Sequence, residues 1–335
     1  MLRVGLIGAG LIGQVHARAY GNLRNAQLVA VADIRPEKAA EVGEQYGCRQ
    51  FATLDDLLAA TDVDVIDICL PTPLHASHTI RALDAGKHVM CEKPLARTLD
   101  EAREVRAAVE RAAGKFTVGH VVRFFPEYAR AHELIAAGEV GAPRVVHTVR
   151  GGAFPPWSYH NWMGDLDQSG GVLLDLACHE FDWLRWVCGE ATRVFARGLA
   201  YSHLAQGANR DHSLILLRFA SGALAHVEVS WAMPPRGASV TKVEVAGTHG
   251  LMSFDNQGNL PIRGSWSVEG APAAAAESPL AVSPFQAEIA HFLDCIETDR
   301  QPLVGVEDAI RALEMSLAAL ESVRTGRPVA VGGAL

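Results

Sequence analysis

A glycine-rich turn near the start of the chain constrains the fold more than any other feature of the sequence. Residues 8–13 read Gly-Ala-Gly-Leu-Ile-Gly, with an apolar run at Leu2–Ile7 before them and an amphipathic stretch at Leu11–Tyr20 after them. Asp33 ends the next apolar run, 20 residues beyond Gly13. A strand, a GxGxxG turn, a helix and an acidic residue at about this distance form the fingerprint of a dinucleotide-binding unit. This context is far more specific than the glycines alone.

Each glycine of this turn has a physical role in the predicted site. Gly8 permits a tight turn, Gly10 lets the backbone approach a pyrophosphate, and Gly13 lets the helix pack closely on the strand. The N–H groups at the start of the helix, around Leu11 and Ile12, are then expected to hold the phosphates.

The residues after the second apolar run bear on the choice of dinucleotide. Asp33 is expected to accept hydrogen bonds from the adenosine ribose hydroxyls and to repel a 2′-phosphate, which favours NAD. Arg35 lies two residues further on, where a guanidinium would pair with a 2′-phosphate, so NADP stays open. The alternative for Arg35 is an ordinary solvated charge in a loop.

The pattern of apolar runs divides the chain near residue 120. Before that point, short continuous apolar runs alternate with helical stretches, which is typical of a parallel sheet covered by helices on both faces. After it, runs such as Ala223–Trp231 alternate apolar and polar residues, as antiparallel strands with two different faces do. We therefore expect an α/β chain, with a doubly wound Rossmann sheet in residues 1–120 and an α+β domain in residues 121–335. The expected strands of the first domain are Leu2–Ile7, Leu28–Ala32, Val65–Leu70, His88–Cys91 and Phe116–Gly119.

Composition argues against several classes of protein. The chain has 30 Lys and Arg against 38 Asp and Glu, a net charge of −8, and no run of like charges, so nucleic acid is not an expected partner. No apolar run approaches the roughly 18 residues that a membrane span needs, and the N-terminus lacks a signal-peptide pattern. The six cysteines form no CxxC pair and show no zinc spacing. We expect reduced, buried thiols in a cytoplasmic protein, and no metal site.

A second loop is expected to face the cofactor. Pro71, Thr72 and His75 follow the apolar run Val65–Leu70, and ligands of open α/β sheets bind at the carboxyl ends of strands. His75 is interpreted either as a nucleotide contact or as the first residue of a helix.

The sequence resembles the Gfo/Idh/MocA oxidoreductase family, which includes glucose–fructose oxidoreductase and inositol dehydrogenases. The resemblance spans nearly the whole chain and rests on the order and spacing of several motifs. These are GxGxxGxxH at residues 8–16, Pro-Thr-Pro-Leu-His at 71–75, Gly-Lys-His-Val-Met-Cys-Glu-Lys-Pro at 86–94, Gly-Gly-Val-Leu-Leu-Asp at 170–175 with His179, Asp182 and Trp186 beyond it, and Thr-Gly-Arg-Pro-Val at 325–329.

The resemblance implies a Rossmann domain followed by a domain with a large, mostly antiparallel sheet. It implies a nicotinamide cofactor, contacted also by Glu92 and Lys93, and a sugar, polyol or related substrate. Lys93 corresponds to the family's active-site lysine, and Asp175 and His179 to its aspartate and histidine. The family's Lys-Pro peptide bond is often cis. Relatives commonly pair through the second-domain sheet, which implies a homodimer or homotetramer.

The chemistry of these residues agrees with such roles. Lys93 follows a buried strand, so its amine is expected at the cofactor edge of the sheet, where it stabilises the negative charge that develops on a substrate oxygen. Asp175 and His179 are spaced i, i+4 on one predicted helix, and His179 is a suitable base near neutral pH. The alternatives are a surface lysine paired with Glu92, a helix-capping aspartate and a buried structural histidine.

Further candidate substrate contacts lie after the first domain. His120 and Arg123 follow the last Rossmann strand, although many relatives carry asparagine or tyrosine in this stretch. A second group belongs to an aromatic and polar loop that suits a sugar, or alternatively a packed loop core. This group consists of Trp157, Asn161 and Trp162, with Tyr159 and His160 between them.

Together these features predict an NAD-dependent dehydrogenase acting on a CH–OH group of a sugar, polyol or inositol. We expect His179 to take the hydroxyl proton while Lys93 steadies the oxygen. Two alternatives stay open: a non-catalytic sensor of nucleotide or sugar, and a glycosidase or eliminase that uses bound NAD transiently.

Overall fold

Strands and helices alternate through residues 1–125, as the apolar runs predict. The elements are, in chain order, β1 (Leu2–Ile7), α1 (Leu11–Gly21), β2 (Ala26–Ala32), α2 (Pro36–Tyr46), β3 (Arg49–Phe51), α3 (Leu54–Ala60), β4 (Val65–Ile68), α4 (His75–Asp84), β5 (His88–Glu92), α5 (Leu99–Arg111) and β6 (Phe116–Gly119). All six strands are parallel and lie in the order β3-β2-β1-β4-β5-β6. The order reverses beside β1, which is the usual ligand position in a doubly wound sheet.

The computed structural model describes residues 1–155, 158–200, 211–234, 239–256 and 283–332. The elements after residue 125 are α6 (Pro126–Ala136), β7 (Pro143–Gly151), α7 (Leu166–Ser169), α8 (Gly171–Asp175), α9 (Ala177–Cys188), β8 (Ala191–Leu199), β9 (His212–Phe219), β10 (Leu224–Ser230), β11 (Val240–Gly247), β12 (Leu251–Asp255), α10 (Pro284–Glu297), α11 (Val306–Thr325) and β13 (Val329–Ala330). Their strands form a second sheet, in the order β12-β11-β7-β10-β9-β8-β13. Only the β7–β10 pair is parallel, so this sheet, within the described ranges, is mixed and mostly antiparallel, as expected.

The chain divides into two compact units that do not follow the order of the sequence. The first consists of Met1–Phe125 and Ser283–Glu314, and the second of Pro126–Val282 and Met315–Leu335. Sequence analysis placed everything after residue 120 in the second domain. The difference arises because the apolar face of α10, with Ile289, Phe292 and Leu293, is buried in the same core as β1 and β2.

Two further expectations concern cysteines and membranes. All six cysteines are buried and free of disulfides. Among the residues that the structure describes, no helix combines the length and the apolar content that crossing a bilayer requires.

Candidate active site

The turn between β1 and α1 is shaped for close approach of backbone. Gly8 has φ +95°, and a Cβ there would collide with the Cys69 carbonyl oxygen. A Cβ on Gly13 would collide with the Gly8 carbonyl oxygen, so the helix lies tight against the turn. Gly10 precedes α1 without a capping side chain, and the nearest atom to a Cβ there is a guanidinium nitrogen of Arg35, 3.9 Å away. The first N–H groups of α1, at Leu11 and Ile12, can therefore hold an anionic group.

Asp33 and Arg35 form one hydrogen-bonded unit beside this turn. The Asp33 carboxylate accepts hydrogen bonds from Ala9 N at 2.9 Å and from Arg35 N, Nε and Nη2 at 2.9, 3.1 and 3.1 Å. Burial alone would raise the pKa of Asp33, but the hydrogen bonds and the charge of Arg35 outweigh it, so the pKa is lowered. Arg35 is therefore an ion-pair partner of Asp33, and it offsets the charge that would repel a 2′-phosphate.

His75 connects the loops after β4 and β5. It is the first residue of α4, one of the two interpretations that the sequence allowed, and Pro71 and Thr72 precede it around a short 3-10 turn. Its buried ring places Nδ1 2.7 Å from the Pro94 carbonyl oxygen and Nε2 2.7 Å from the Leu70 carbonyl oxygen. Burial lowers its pKa. A contact between this residue and a nucleotide stays a prediction.

The Glu-Lys-Pro segment begins at the last residue of β5. Glu92 is buried, and its Oε2 accepts a hydrogen bond from the Lys93 backbone N at 3.0 Å. Its Oε1 lies 3.1 Å from Nε2 of His16 on α1. The Lys93–Pro94 peptide bond is cis, as the resemblance implied. The Glu92 carboxylate is therefore held inside the unit. The alternative interpretation, in which Lys93 is a surface lysine paired with Glu92, requires this carboxylate to lie at the surface.

Sequence analysis missed two residues of this region, Asp67 and Tyr20. Asp67 is a fully buried acid in the middle of the apolar strand β4, and its Oδ2 accepts a hydrogen bond from the Tyr20 hydroxyl at 3.0 Å. The same oxygen lies 2.8 Å from Nδ1 of His16. A lone acidic residue inside a continuous apolar strand was the available signal, because a buried carboxylate requires a partner.

The second unit holds Asp175 and His179 at a junction between two helices. Sequence analysis placed both residues on one helix, but Asp175 ends α8, and α9 begins at Ala177. Two glycines with positive φ, Gly170 and Gly171, lie at the start of α8. His179 is 9% exposed, and its backbone N donates to the Leu176 carbonyl oxygen.

A buried ion pair anchors α9 next to His179. Glu180 Oε1 accepts a hydrogen bond from Arg150 Nε on β7 at 2.6 Å and from the Tyr128 hydroxyl at 3.3 Å. Arg150 Nη2 also donates to the Tyr128 hydroxyl at 3.0 Å, so the three side chains close a ring of hydrogen bonds. The Tyr128 ring packs edge-on against Trp183 of α9. These contacts fix the first turns of the helix.

The remaining candidates have different surroundings. His120 is buried directly after β6. Arg123 is also buried, and it donates to the Leu303 carbonyl oxygen and to Asp308 Oδ1, each at 3.1 Å. These bonds give Arg123 a role in holding the segment before α11 and the first turn of that helix. Its predicted contact with substrate stays a prediction.

The aromatic loop carries two left-handed residues. Trp157 lies outside the described residues. His160 and Asn161 have φ values of 50° and 55°, which side chains other than glycine rarely adopt. Both side chains are exposed, and Trp162 is half-buried. The contact of this loop with a sugar stays a prediction.

Two sequence profiles of known families match the chain. The one described as "Oxidoreductase family, NAD-binding Rossmann fold" matches residues 2–120. The one described as "GFO/IDH/MocA C-terminal domain" matches residues 128–253.

Individual proteins resemble the chain over almost its full length. Inositol 2-dehydrogenase of Rhizobium meliloti is 31% identical over 98% of this chain and 99% of its own. The scyllo-inositol 2-dehydrogenase (NAD(+)) of Bacillus subtilis is 30% identical over 98% of this chain and 96% of its own. The crystal structure of GenD2 from gentamicin A biosynthesis, in complex with NAD, has a TM-score of 0.89 at 27% identity, covering 99% of this chain and 97% of that one.

Proposed function

The chain belongs to the Gfo/Idh/MocA oxidoreductase family, and from this premise we propose that its substrate is an inositol or a closely related cyclic polyol or sugar. It is an NAD(P)-dependent oxidoreductase that transfers a hydride between a nicotinamide and a CH–OH group. Both inositol dehydrogenases described above are about equally similar to it, at 31% and 30% identity, and only one of the two names specifies an inositol isomer. The class of substrate is therefore proposed, and not one isomer.

One observation carries the proposal most directly. The phosphate-binding turn follows β1, the Pro-Thr-Pro loop follows β4, and Lys93 follows β5, and these three strands are neighbours in the parallel sheet. Neighbouring strands lie about 4.8 Å apart, so Lys93 leaves the sheet roughly 10 Å from the phosphate turn, at the same edge. A cofactor bound at Gly8–Gly13 can reach this edge with its other end.

We assign the catalytic roles as follows. The Lys93 ammonium holds the substrate oxygen and stabilises the negative charge that develops there during oxidation. His179 accepts the hydroxyl proton, and Asp175 orients a substrate hydroxyl or the imidazole. The nicotinamide, when bound, accepts the hydride. The exposed side chain of Asn161, with Trp162 beside it, and His120 and Arg123 are the proposed contacts for further hydroxyls.

A turnover screen tests this function. We expect reduced nicotinamide to accumulate, measured by its absorbance, when the protein and NAD are mixed with members of a panel of inositols, sugars and sugar acids. Ligand binding without reduced cofactor would indicate a sensor. Release of a glycosidic product without net reduced cofactor would indicate a transient use of NAD.

We also propose that the chain forms a homodimer or homotetramer through the outward face of the seven-stranded sheet. Leu199, Leu214, Leu216 and Leu224 are 43–60% exposed and lie on one face of β8, β9 and β10. Soluble monomers rarely expose several large apolar residues together. Light scattering is expected to give a multiple of 35.9 kDa, and Leu216→Glu is expected to shift it towards the monomer. A monomeric wild type at micromolar concentration would refute this.

The proposed location is the cytoplasm. Six buried cysteines without disulfides fit a reducing compartment. Fractionation of the source cells with an antibody to the protein would test it.

A further inference from the structure

The first unit contains a cluster of buried charged side chains that includes Glu92, the residue before Lys93. His16, Asp67 and Glu92 are 0%, 0% and 6% exposed, although they come from α1, β4 and β5. His16 lies between the two acids, with Nδ1 2.8 Å from Asp67 Oδ2 and Nε2 3.1 Å from Glu92 Oε1. The ring of Phe285 packs on the imidazole at 5.8 Å between centroids.

The geometry fixes the charge of His16. Each ring nitrogen faces a carboxylate oxygen at hydrogen-bond distance, and a carboxylate only accepts hydrogen bonds. With both acids ionised, both nitrogens carry a proton and the ring is an imidazolium. The electrostatics agree: burial lowers the pKa of His16, but the charge of the nearby Asp67 and its hydrogen bond raise it, and the pKa lies well above its ordinary value. Burial raises the pKa of Glu92, and His16 more than offsets this.

A metal ion is the competing explanation for this cluster. The ligand atoms of His16, Asp67 and Cys69 lie within 4.8 Å of one another. However, the 2.8 Å separation of Nδ1 and Oδ2 is a hydrogen-bond length, which places a proton between the two atoms. Burial and the charge of Asp67 also raise the pKa of the Cys69 thiol, which keeps it protonated, whereas a metal ligand must be a thiolate.

The Glu92 side chain connects this cluster to Lys93. Glu92 uses Oε1 for His16 and Oε2 for the backbone N–H of Lys93. His16 also lies on α1, the helix whose N-terminus forms the phosphate site. A continuous line of hydrogen bonds thus runs from the phosphate-binding helix through His16 and Glu92 to Lys93.

We propose that His16 is a positioning residue for hydride transfer: it holds Glu92 in the orientation that fixes the Lys93 backbone relative to the phosphate-binding helix. This inference rests on the proposed function, because it assigns His16 a role in the action of Lys93. Removing the cation leaves two carboxylates buried without compensation, so Glu92 reorients and the lysine loses its fixed position.

Two variants separate this role from simple packing. In His16→Gln, the amide donates to one carboxylate and its oxygen faces the other, which is repulsive. In His16→Gln/Glu92→Gln, the two introduced amides bond to each other, and the amide oxygen at position 92 again accepts from Lys93 N. The double variant also restores the net charge of −1 that the imidazolium and two carboxylates have together. His88→Gln, at the opposite end of β5, is the matched control.

We expect His16→Gln to lower kcat about tenfold to a hundredfold, because small displacements of a reacting group are costly. The Kd for NAD is expected to change much less, and His88→Gln to leave kcat unchanged. The double variant is expected to unfold at a higher temperature than His16→Gln and to recover part of kcat. In nuclear magnetic resonance spectra, the Lys93 amide signal should shift in His16→Gln and return in the double variant.

The outcomes distinguish the two hypotheses. If the wild type has no turnover, the proposed function fails, and the Lys93 amide signal still decides the inference. A double variant as unstable and as slow as His16→Gln would overturn it, and so would an unmoved Lys93 signal. Nitrogen spectra of the His16 ring at pH 8 that show one unprotonated nitrogen would contradict the assignment of His16 as an imidazolium that holds Glu92.

Discussion

In each unit, a cluster of charged side chains lies next to a residue that is proposed to be catalytic. The two clusters are similar, but the cation is a histidine in the first unit and an arginine in the second. In the first unit, Lys93 follows Glu92, which bonds to His16. In the second, His179 precedes Glu180, which bonds to Arg150. Each cluster places a buried acid directly beside a side chain proposed for chemistry. The difference is that a histidine loses its charge at accessible pH, whereas an arginine does not. The two supports should therefore respond differently to pH.

Lys93→Ala is expected to have the largest effect on turnover. The variant loses the cation that stabilises the developing alkoxide, so oxidation should be abolished, while the phosphate site at Gly8–Gly13 is untouched. Cofactor affinity, measured by calorimetry, is expected to stay near the wild-type value. Near-normal turnover would remove Lys93 from the mechanism.

His179→Asn is expected to reduce oxidation by about 10²–10⁴-fold, the usual contribution of a general base. The wild-type rate should fall at low pH, where the imidazole is protonated, and this acid limb should be absent in the variant. Turnover against pH checks it. If the variant kept both the rate and the limb, His179 would be structural.

Arg150→Met is expected to destabilise the chain by about 3–5 kcal/mol, because Glu180 is left as an unpaired buried charge. Arg150→Met/Glu180→Gln should regain much of that stability, as is expected of the equivalent pair of changes at His16 and Glu92. Urea unfolding measures both. A single variant as stable as the double would show that the ion pair contributes little.

The pH dependence of stability distinguishes the clusters. The pKa of His16 is raised in the folded state, so its stabilisation is complete below the unfolded value of 6.5 and is lost as pH rises towards the folded value. Each unit of pKa difference corresponds to about 1.4 kcal/mol. As pH rises above about 6.5, wild-type stability should fall relative to His16→Gln/Glu92→Gln. Arg150→Met/Glu180→Gln should keep the wild-type slope, and parallel curves for all three proteins would contradict this.

The smallest expected effect is on the preference for NAD over NADP. Asp33 is expected to favour NAD over NADP by at least about tenfold in kcat/KM, since one misplaced phosphate charge costs roughly 1.4 kcal/mol or more. Because Arg35 is paired with Asp33, Arg35→Ala should increase this preference, and Asp33→Ala should reverse it. Steady-state kinetics with both dinucleotides measure it. Equal use of NADP by the wild type would show that Arg35 outweighs the carboxylate.

Five of the six strands of the first unit were predictable because each contains a run of apolar residues. The sixth, β3, was missed because its three residues include Arg49 and Gln50. β1 and β6 have the predicted bounds. The strands β7 and β8 were missed, since charged and polar residues such as His147, Arg193 and Arg197 interrupt their apolar residues. Their strand character depends on neighbours far along the chain: β7 pairs with β10 and β11.

The sequence by itself determined the phosphate-binding turn, the acid at position 33 and the Lys93 loop, because short-range steric and hydrogen-bonding demands require particular residues at fixed spacing. Only the tertiary structure decided that α10 completes the first unit and that Arg35 pairs with Asp33. It alone also joined His16 to Asp67 and Glu92, which lie 51 and 76 residues away. A buried charge must find a partner, but the partner is set by how the strands order in the sheet, and no local pattern encodes that order.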